Sequence, residues 1–319
     1  MKGLNKMKIG FLFPGQGSQA VGMGKDLYEA YEEVRNVYQK VKEITGIDIA
    51  KVSFEGPEEL LNTTEMTQLA ILTQSLAIVE LLKKHQITAD RMAGLSLGEY
   101  TALITDEVID FKDGIEIVQK RGKIMQENLP EGNWKMAAII GVDKDTINEI
   151  CDEVNGFVKV ANYNTIGQIV ISGEESAVLE VSEKLKTKGA RKVIVLNTAG
   201  PFHTEKFDLA SKKFKEELSK ISFDNKDSKV IKNLDGTPYM KDENIVEVLS
   251  NHIKSPVKFT DCLTEMYKSG IDTFIEVGPG KALSGFVKRM NFETNIRILN
   301  INDVNTFKSA IKELTGKEI

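Results

Sequence analysis

The chain has 319 residues, 42 Lys and Arg against 47 Asp and Glu, three His and two Cys, and a net charge of −5. Its length allows two domains or subdomains around a large core, and 41% apolar with 28% charged residues is ordinary for a globular protein. Mild acidity without a basic stretch argues against nucleic acid, and two Cys with no CxxC and no His/Cys cluster exclude a disulfide scaffold and a structural zinc site.

Lys2, Lys6 and Lys8 imitate the basic start of an export signal. The apolar run 9–13 stops at Pro14-Gly15, too short for such a signal, so the sequence predicts a cytoplasmic protein. Residues 8–13 read as a strand leading into the glycine-rich turn Pro14-Gly15-Gln16-Gly17-Ser18. Helical spacing predicts one helix over 26–45 and another over 64–84. The second contains the longest apolar-rich stretch, 69–82, which Thr73, Gln74, Ser75 and Glu80 interrupt. No run therefore approaches the roughly 18–20 apolar residues that cross a membrane. A short strand at 91–95 precedes a helix from 97, and a helix at 110–128 is stopped by Pro130.

The next stretch has its own pattern: strand 136–141, helix 143–154, strands 157–162 and 168–172, helix 174–188 and strand 191–197. That β-α-β-β-α-β order is the ferredoxin-like arrangement. Helices follow at 205–219, 246–252 and 260–269, then a strand at 273–277 ending in Gly278-Pro279-Gly280. The predicted fold class is α/β. Residues 1–129 and 198–319 form a large α/β-hydrolase-like body with a mainly parallel sheet, interrupted by an inserted ferredoxin-like small domain at 130–197.

Gly94-Leu95-Ser96-Leu97-Gly98 fits G-x-S-x-G. A strand turning abruptly into a helix displays the Ser at the apex, and the flanking glycines let strand and helix approach. Free N–H groups at the helix start can stabilise an oxyanion. The same letters also suit a Gly-Ser loop that caps a helix. A nucleophilic Ser needs a base, and the chain has only three imidazoles. His203, in Gly200-Pro201-Phe202-His203-Thr204, lies on a loop between elements, where catalytic groups are commonly displayed. His252 lies near a helix end, and His85 sits where the C-terminal helix dipole already explains it. Position favours His203. The turn at Gly15-Gln16-Gly17 lacks both P-loop and G-x-G-x-x-G spacing; it is an oxyanion-hole candidate or a plain tight turn. Gly122 follows Arg121 within a helical pattern, at a cost of about 1 kcal/mol relative to Ala. That cost hints at close packing, although an exposed helical Arg is the simpler reading of Arg121.

Phe13-Pro14-Gly15-Gln16-Gly17-Ser18-Gln19, Gly94-Leu95-Ser96-Leu97-Gly98-Glu99-Tyr100, Gln119-Lys120-Arg121-Gly122 with Met125-Gln126, Gly200-Pro201-Phe202-His203 and Glu276-Val277-Gly278-Pro279-Gly280 occur in that order. From about residue 8 to 290 the chain resembles the malonyl-CoA:acyl-carrier-protein transacylases. The resemblance implies Ser96 as nucleophile, His203 as its base, and backbone N–H groups of Gln16 and Leu97 as the oxyanion hole. It implies Arg121 as the partner of the malonyl carboxylate, Phe202 as the side chain that crowds an α-methyl branch, and the backbone carbonyl of His252 as the group that orients His203. It implies malonyl transfer to the phosphopantetheine thiol of an acyl carrier protein in fatty acid biosynthesis. A coenzyme A thioester is then substrate, with no tightly bound cofactor and no metal.

The chain departs from the family in two places. Leu95 stands where the family usually has His, and His252 where it often has Gln or Asn. A main-chain carbonyl comes from any residue, so the orienting role can persist, while the His252 ring adds a second titrating group. An acidic carrier protein needs a local basic patch on this acidic chain; the dibasic pairs Arg191/Lys192 and Lys288/Arg289 are the candidates. Other functions compatible with the elbow are a serine thioesterase or hydrolase, an acyltransferase that loads a polyketide synthase, and a non-catalytic interaction protein.

Overall fold

A computed structural model describes residues 7–196, 200–293 and 295–318. The expected strand end at 197 and the domain boundary at 197/198 lie outside the described residues, as do Lys2 and Lys6. In chain order the elements are β1 (Ile9–Phe13), α1 (Lys25–Ala30), α2 (Glu32–Thr45), α3 (Ile49–Glu55), α4 (Glu58–Leu61), α5 (Thr64–Lys84), β2 (Arg91–Gly94), α6 (Leu97–Thr105) and α7 (Phe111–Glu127). Next come β3 (Trp134–Ile140), α8 (Lys144–Glu153), β4 (Val158–Thr165), β5 (Gln168–Glu174), α9 (Glu175–Thr187) and β6 (Lys192–Leu196). The chain ends with α10 (Asp208–Leu218), α11 (Ile245–His252), α12 (Phe259–Lys268), β7 (Thr273–Val277), α13 (Ala282–Arg289), β8 (Arg297–Ile301) and α14 (Val304–Thr315).

The first sheet has the order β2-β1-β7-β8, and every pairing in it is parallel. Its strands are largely apolar, as sheets covered on both faces require, and β7 is buried at every position. Against this sheet packs α5, which is buried on nearly all sides. Each fully buried Leu or Ile there contributes about 1.5–3 kcal/mol. Beyond β2 the segment around Val230 runs alongside in parallel: Met92 N–H donates to the Lys229 carbonyl (2.9 Å) and Ile231 N–H to the Met92 carbonyl (2.8 Å).

The second sheet is antiparallel with the order β4-β5-β3-β6. With α8 and α9 it makes the β-α-β-β-α-β unit expected from the sequence. The strand period of two divides its side chains between two faces. Ala137 and Ile139 point into a core shared with α8 and α9, whereas Met136, Ala138 and Val170 join the core of the large body. Among the described residues no helix is long and apolar enough to cross a membrane.

Two sequence expectations need correction. The helix expected over 26–45 is broken at Tyr31, whose backbone is extended (φ −125°, ψ 131°). The Tyr31 ring meets Phe307 of α14 edge-on at 5.4 Å, and Arg35 donates to the carbonyls of Tyr28 and Glu29 that the break leaves open. The sequence reading also stopped at 280, whereas β8 supplies a fourth parallel strand and α14 closes the fold.

Candidate active site

The strand-to-helix turn at Ser96 depends on its glycines. A Cβ on Gly94 would lie 1.8 Å from the Gly98 carbonyl carbon, and one on Gly98 would lie 2.1 Å from the Phe13 carbonyl oxygen. Only hydrogen fits at either position. Ser96 itself has φ 54° and ψ −100°, a backbone state that costs about 1–3 kcal/mol and persists where surrounding structure enforces it. The strain puts its side chain at the apex, in a cavity of about 170 Å³ between the two sheets. Gln16, Leu97 and Arg121 line it from the large body, and Met136, Asn164 and Val170 from the antiparallel sheet.

His203 Nε2 is 2.8 Å from Ser96 Oγ. Its Nδ1 faces two carbonyls, His252 at 3.0 Å and Ser255 at 3.2 Å. Two acceptors at Nδ1 put the proton there, which leaves Nε2 to accept the Ser96 hydroxyl proton. His203 also holds a left-handed backbone, φ 59°. Burial, and then the Arg121 charge, lower its pKa to about 4, so the imidazole is neutral at pH 7.

Arg121 is 1% exposed, which overturns the exposed-helix reading. It donates to Gln68 Oε1 at 2.7 Å and to Ser96 Oγ at 3.0 Å, and its guanidinium lies over the Tyr100 ring at 5.1 Å. Its Nε has no partner among the described residues. The packing hint from Gly122 holds: a Cβ there would sit 2.7 Å from Glu65 Cα on α5. Behind the site Glu99 is buried, and burial pushes its carboxyl up to about 7 despite hydrogen bonds from Tyr239 and Asn233. The His252 ring is held neutral, its pKa driven well below the usual range by burial and then by His203 and Arg121.

A family model described as an acyl transferase domain matches residues 10–301. A malonyl CoA-acyl carrier protein transacylase of Bacillus subtilis (strain 168) is 40% identical over 310 residues, 96% of this chain and 97% of that one. The chain belongs to the malonyl CoA-acyl carrier protein transacylase family. Among solved structures, the family member from Clostridium perfringens superposes with a TM-score of 0.91 at 43% identity, covering 97% of this chain and 98% of that one. A malonyl-transacylase in complex with its type II PKS acyl-carrier protein superposes at 0.90 with 34% identity, covering 96% and 99%.

The fold brings Ser96, His203, Arg121, Gln16, Leu97 and Phe202 to one cavity, which Leu95, in the family's usual His position, also lines. The His252 carbonyl touches His203 from behind. Among the described residues no acceptor meets the N–H groups of Gln16 and Leu97. His85 is apart from the site; it caps α5 and meets Phe307 edge-on at 5.6 Å. Lys192, Lys288 and Arg289 share one groove with Lys281, floored by Ile194 and Phe286. Arg191 is not on that groove and lies over Gly141 instead.

Sequence reasoning missed Gln68, which holds Arg121, and Asn233, which accepts the Ser96 N–H at 2.7 Å. Gln68 left a weak signal, as a polar residue next to the longest apolar-rich stretch. Asn233, in Lys232-Asn233-Leu234-Asp235-Gly236, reads as an ordinary turn.

Proposed function

We infer that the chain transfers malonyl groups from malonyl-CoA to the phosphopantetheine thiol of an acyl carrier protein, through a malonyl ester on Ser96. One observation carries this reading: a buried, permanently charged Arg121 lies beside a Ser–His pair at hydrogen-bond distance. A buried guanidinium is costly unless an anion meets it, and a malonyl carboxylate is such an anion.

In the first half-reaction Ser96 Oγ attacks the thioester carbonyl and its proton passes to His203 Nε2. The Gln16 and Leu97 N–H groups receive the oxyanion. The C–S bond breaks, and the coenzyme A sulfur leaves with the proton from His203. In the second half the carrier thiol gives its proton to His203 and attacks the Ser96 ester; the C–O bond breaks and Oγ regains a proton. A thioester and an oxygen ester are close in energy, so positioning and charge stabilisation suffice, and the reading needs no cofactor or metal.

Phe202, buried against Phe207 at 5.2 Å, narrows the cavity against a branched acyl chain. The domain reading joins 1–129 and 198–319 into one catalytic body with 130–197 inserted, supported by the separate core under α8 and α9. The groove with Lys192, Lys288 and Arg289 is the carrier-protein surface in this reading. Lys192 and Ile194 line the groove while Leu196, on the same face of β6, lines the cavity, so the strand leads from one to the other. Two free, buried cysteines suit a reducing cytoplasm, and the cellular role is fatty acid biosynthesis.

A serine hydrolase would share Ser96 and His203 but has no use for Arg121. Measuring malonate release against malonyl transfer, with and without carrier protein, separates the two. Transfer dominating in the presence of carrier supports the reading; rapid malonate release unaffected by carrier rejects it.

A further inference from the structure

A closed ring of contacts joins the nucleophile to the base through the interior. Ser96 Oγ meets His203 Nε2 at 2.8 Å, and His203 Nδ1–H donates to the His252 carbonyl at 3.0 Å. His252 Nδ1 lies 3.3 Å from Glu99 Oε2, and the same carboxylate oxygen accepts the Asn233 N–H at 3.2 Å. Asn233 Oδ1 accepts the Ser96 N–H at 2.7 Å, which closes the ring. Glu99, Asn233 and His252 are fully buried. None of the three lines the substrate cavity.

Each link has its own cause. The elbow leaves the Gly94 carbonyl and the Ser96 N–H outside both the β2 ladder and the α6 hydrogen bonds. The Asn233 amide takes both: Oδ1 accepts from Ser96, and Nδ2 donates to Gly94 at 2.7 Å. The segment beside β2 brings Asn233 there. On the other side, the His252 ring is wedged between Glu99 and the His203 ring, whose centroid is 5.2 Å away. That wedge holds the peptide whose carbonyl orients His203. The His252–Glu99 contact is 3.3 Å but off the line of a hydrogen bond, and the ring is neutral, so it fixes the ring by packing. Glu99 is the single member that touches both anchors, and Tyr239 OH holds its other oxygen at 2.5 Å.

We propose that Glu99 is a positioning residue for acyl transfer: through Asn233 it sets the backbone of the nucleophile, and through His252 it sets the carbonyl that orients the base. The proposal rests on the Ser96–His203 reading given above. Glu99 does not reach substrate, so its removal acts on the rate of acylation and leaves substrate binding alone. A misplacement of about 1 Å between reacting groups is enough for a loss of about 100-fold.

The test uses Glu99→Ala, Glu99→Gln, Asn233→Ala and the Glu99→Ala/Asn233→Ala pair. Single-turnover acylation by malonyl-CoA is followed by intact mass, with the malonyl-CoA KM and thermal unfolding measured alongside. Glu99→Ala should lower the acylation rate about 100-fold with KM within about twofold. Glu99→Gln, which keeps shape and one acceptor oxygen, should recover to about three- to tenfold below wild type. The paired variant should lose little more than the worse single one, because both break the same ring. Glu99 variants that acylate at the wild-type rate, a change confined to KM, or losses that multiply would each overturn the proposal. If Glu99→Ala does not fold, the Gln variant decides by the same rate and KM criteria. A wild type that forms no malonyl adduct overturns the Ser96 reading itself; a wild-type adduct with unimpaired Glu99 variants overturns only the positioning role.

Discussion

His203 is neutral because burial and then the Arg121 charge depress its pKa to about 4, the state the base of the proposed mechanism must start from. In the proposed mechanism the same Arg121 gives the site its preference for a carboxylate. Arg121→Ala should lower kcat/KM for malonyl-CoA by at least roughly 100-fold while changing acetyl-CoA turnover by less than about tenfold. Steady-state assays with both thioesters check this, and equal losses would remove Arg121 from substrate recognition. His252 sets an acid limit on stability. Its folded pKa is depressed from 6.5, so below that pH the unfolded chain binds a proton that the folded chain refuses. Stability is fully present above pH 6.5 and lost as the pH falls. His252→Gln abolishes that loss, so its melting temperature relative to wild type should be more favourable at about pH 5 than at about pH 8. A difference that is flat or reversed across that range would contradict the buried neutral assignment. The Ser96–His203 contact was legible in the sequence: glycine spacing singled out Ser96, and a loop position favoured His203 among three imidazoles. The left-handed backbone of His203 and the Asn233 clamp were not, because both arise from contacts between segments far apart in the chain.

Among the elements, the crossing of α7 over α5 fixes where Arg121 points. Gly122→Ala sets two effects against each other. Helix propensity favours Ala by about 1 kcal/mol, but the added methyl would meet Glu65 Cα, a backbone atom that cannot swing aside. Overpacking of this kind costs about 1–3 kcal/mol and should win, with malonyl turnover falling as α7 shifts. Denaturant unfolding checks it; an unchanged or raised midpoint would show that the crossing can relax. The helix at 64–84 was readable to the residue because its apolar run is long and its ends carry ordinary signals. The break at Tyr31 was not, since no Gly or Pro marks it and its cause is α14, far along the chain. The same holds for Arg121: a helical Arg looks exposed until the partner helix is known.

For the whole molecule, the parallel and the antiparallel sheet leave a cleft between them, and Ser96, His203 and Arg121 meet in that cleft. The architecture and its βαββαβ insert could be read from strand and helix order alone. The basic groove could not: Lys192 and Lys288 are far apart in sequence, and the net charge of −5 conceals their meeting. Reversing charge there with Lys192→Glu and Lys288→Glu should raise the carrier-protein KM about tenfold or more and weaken its salt dependence. Acylation by malonyl-CoA alone should be unaffected; a loss in that half-reaction too, or an unchanged carrier KM, would reject the groove as the docking surface. The most direct measurement is the intact mass of the protein after brief exposure to malonyl-CoA. A single malonyl adduct on the wild type, absent from Ser96→Ala and discharged by carrier protein, is the expected result; no adduct on the wild type, or an undiminished one on Ser96→Ala, would contradict it.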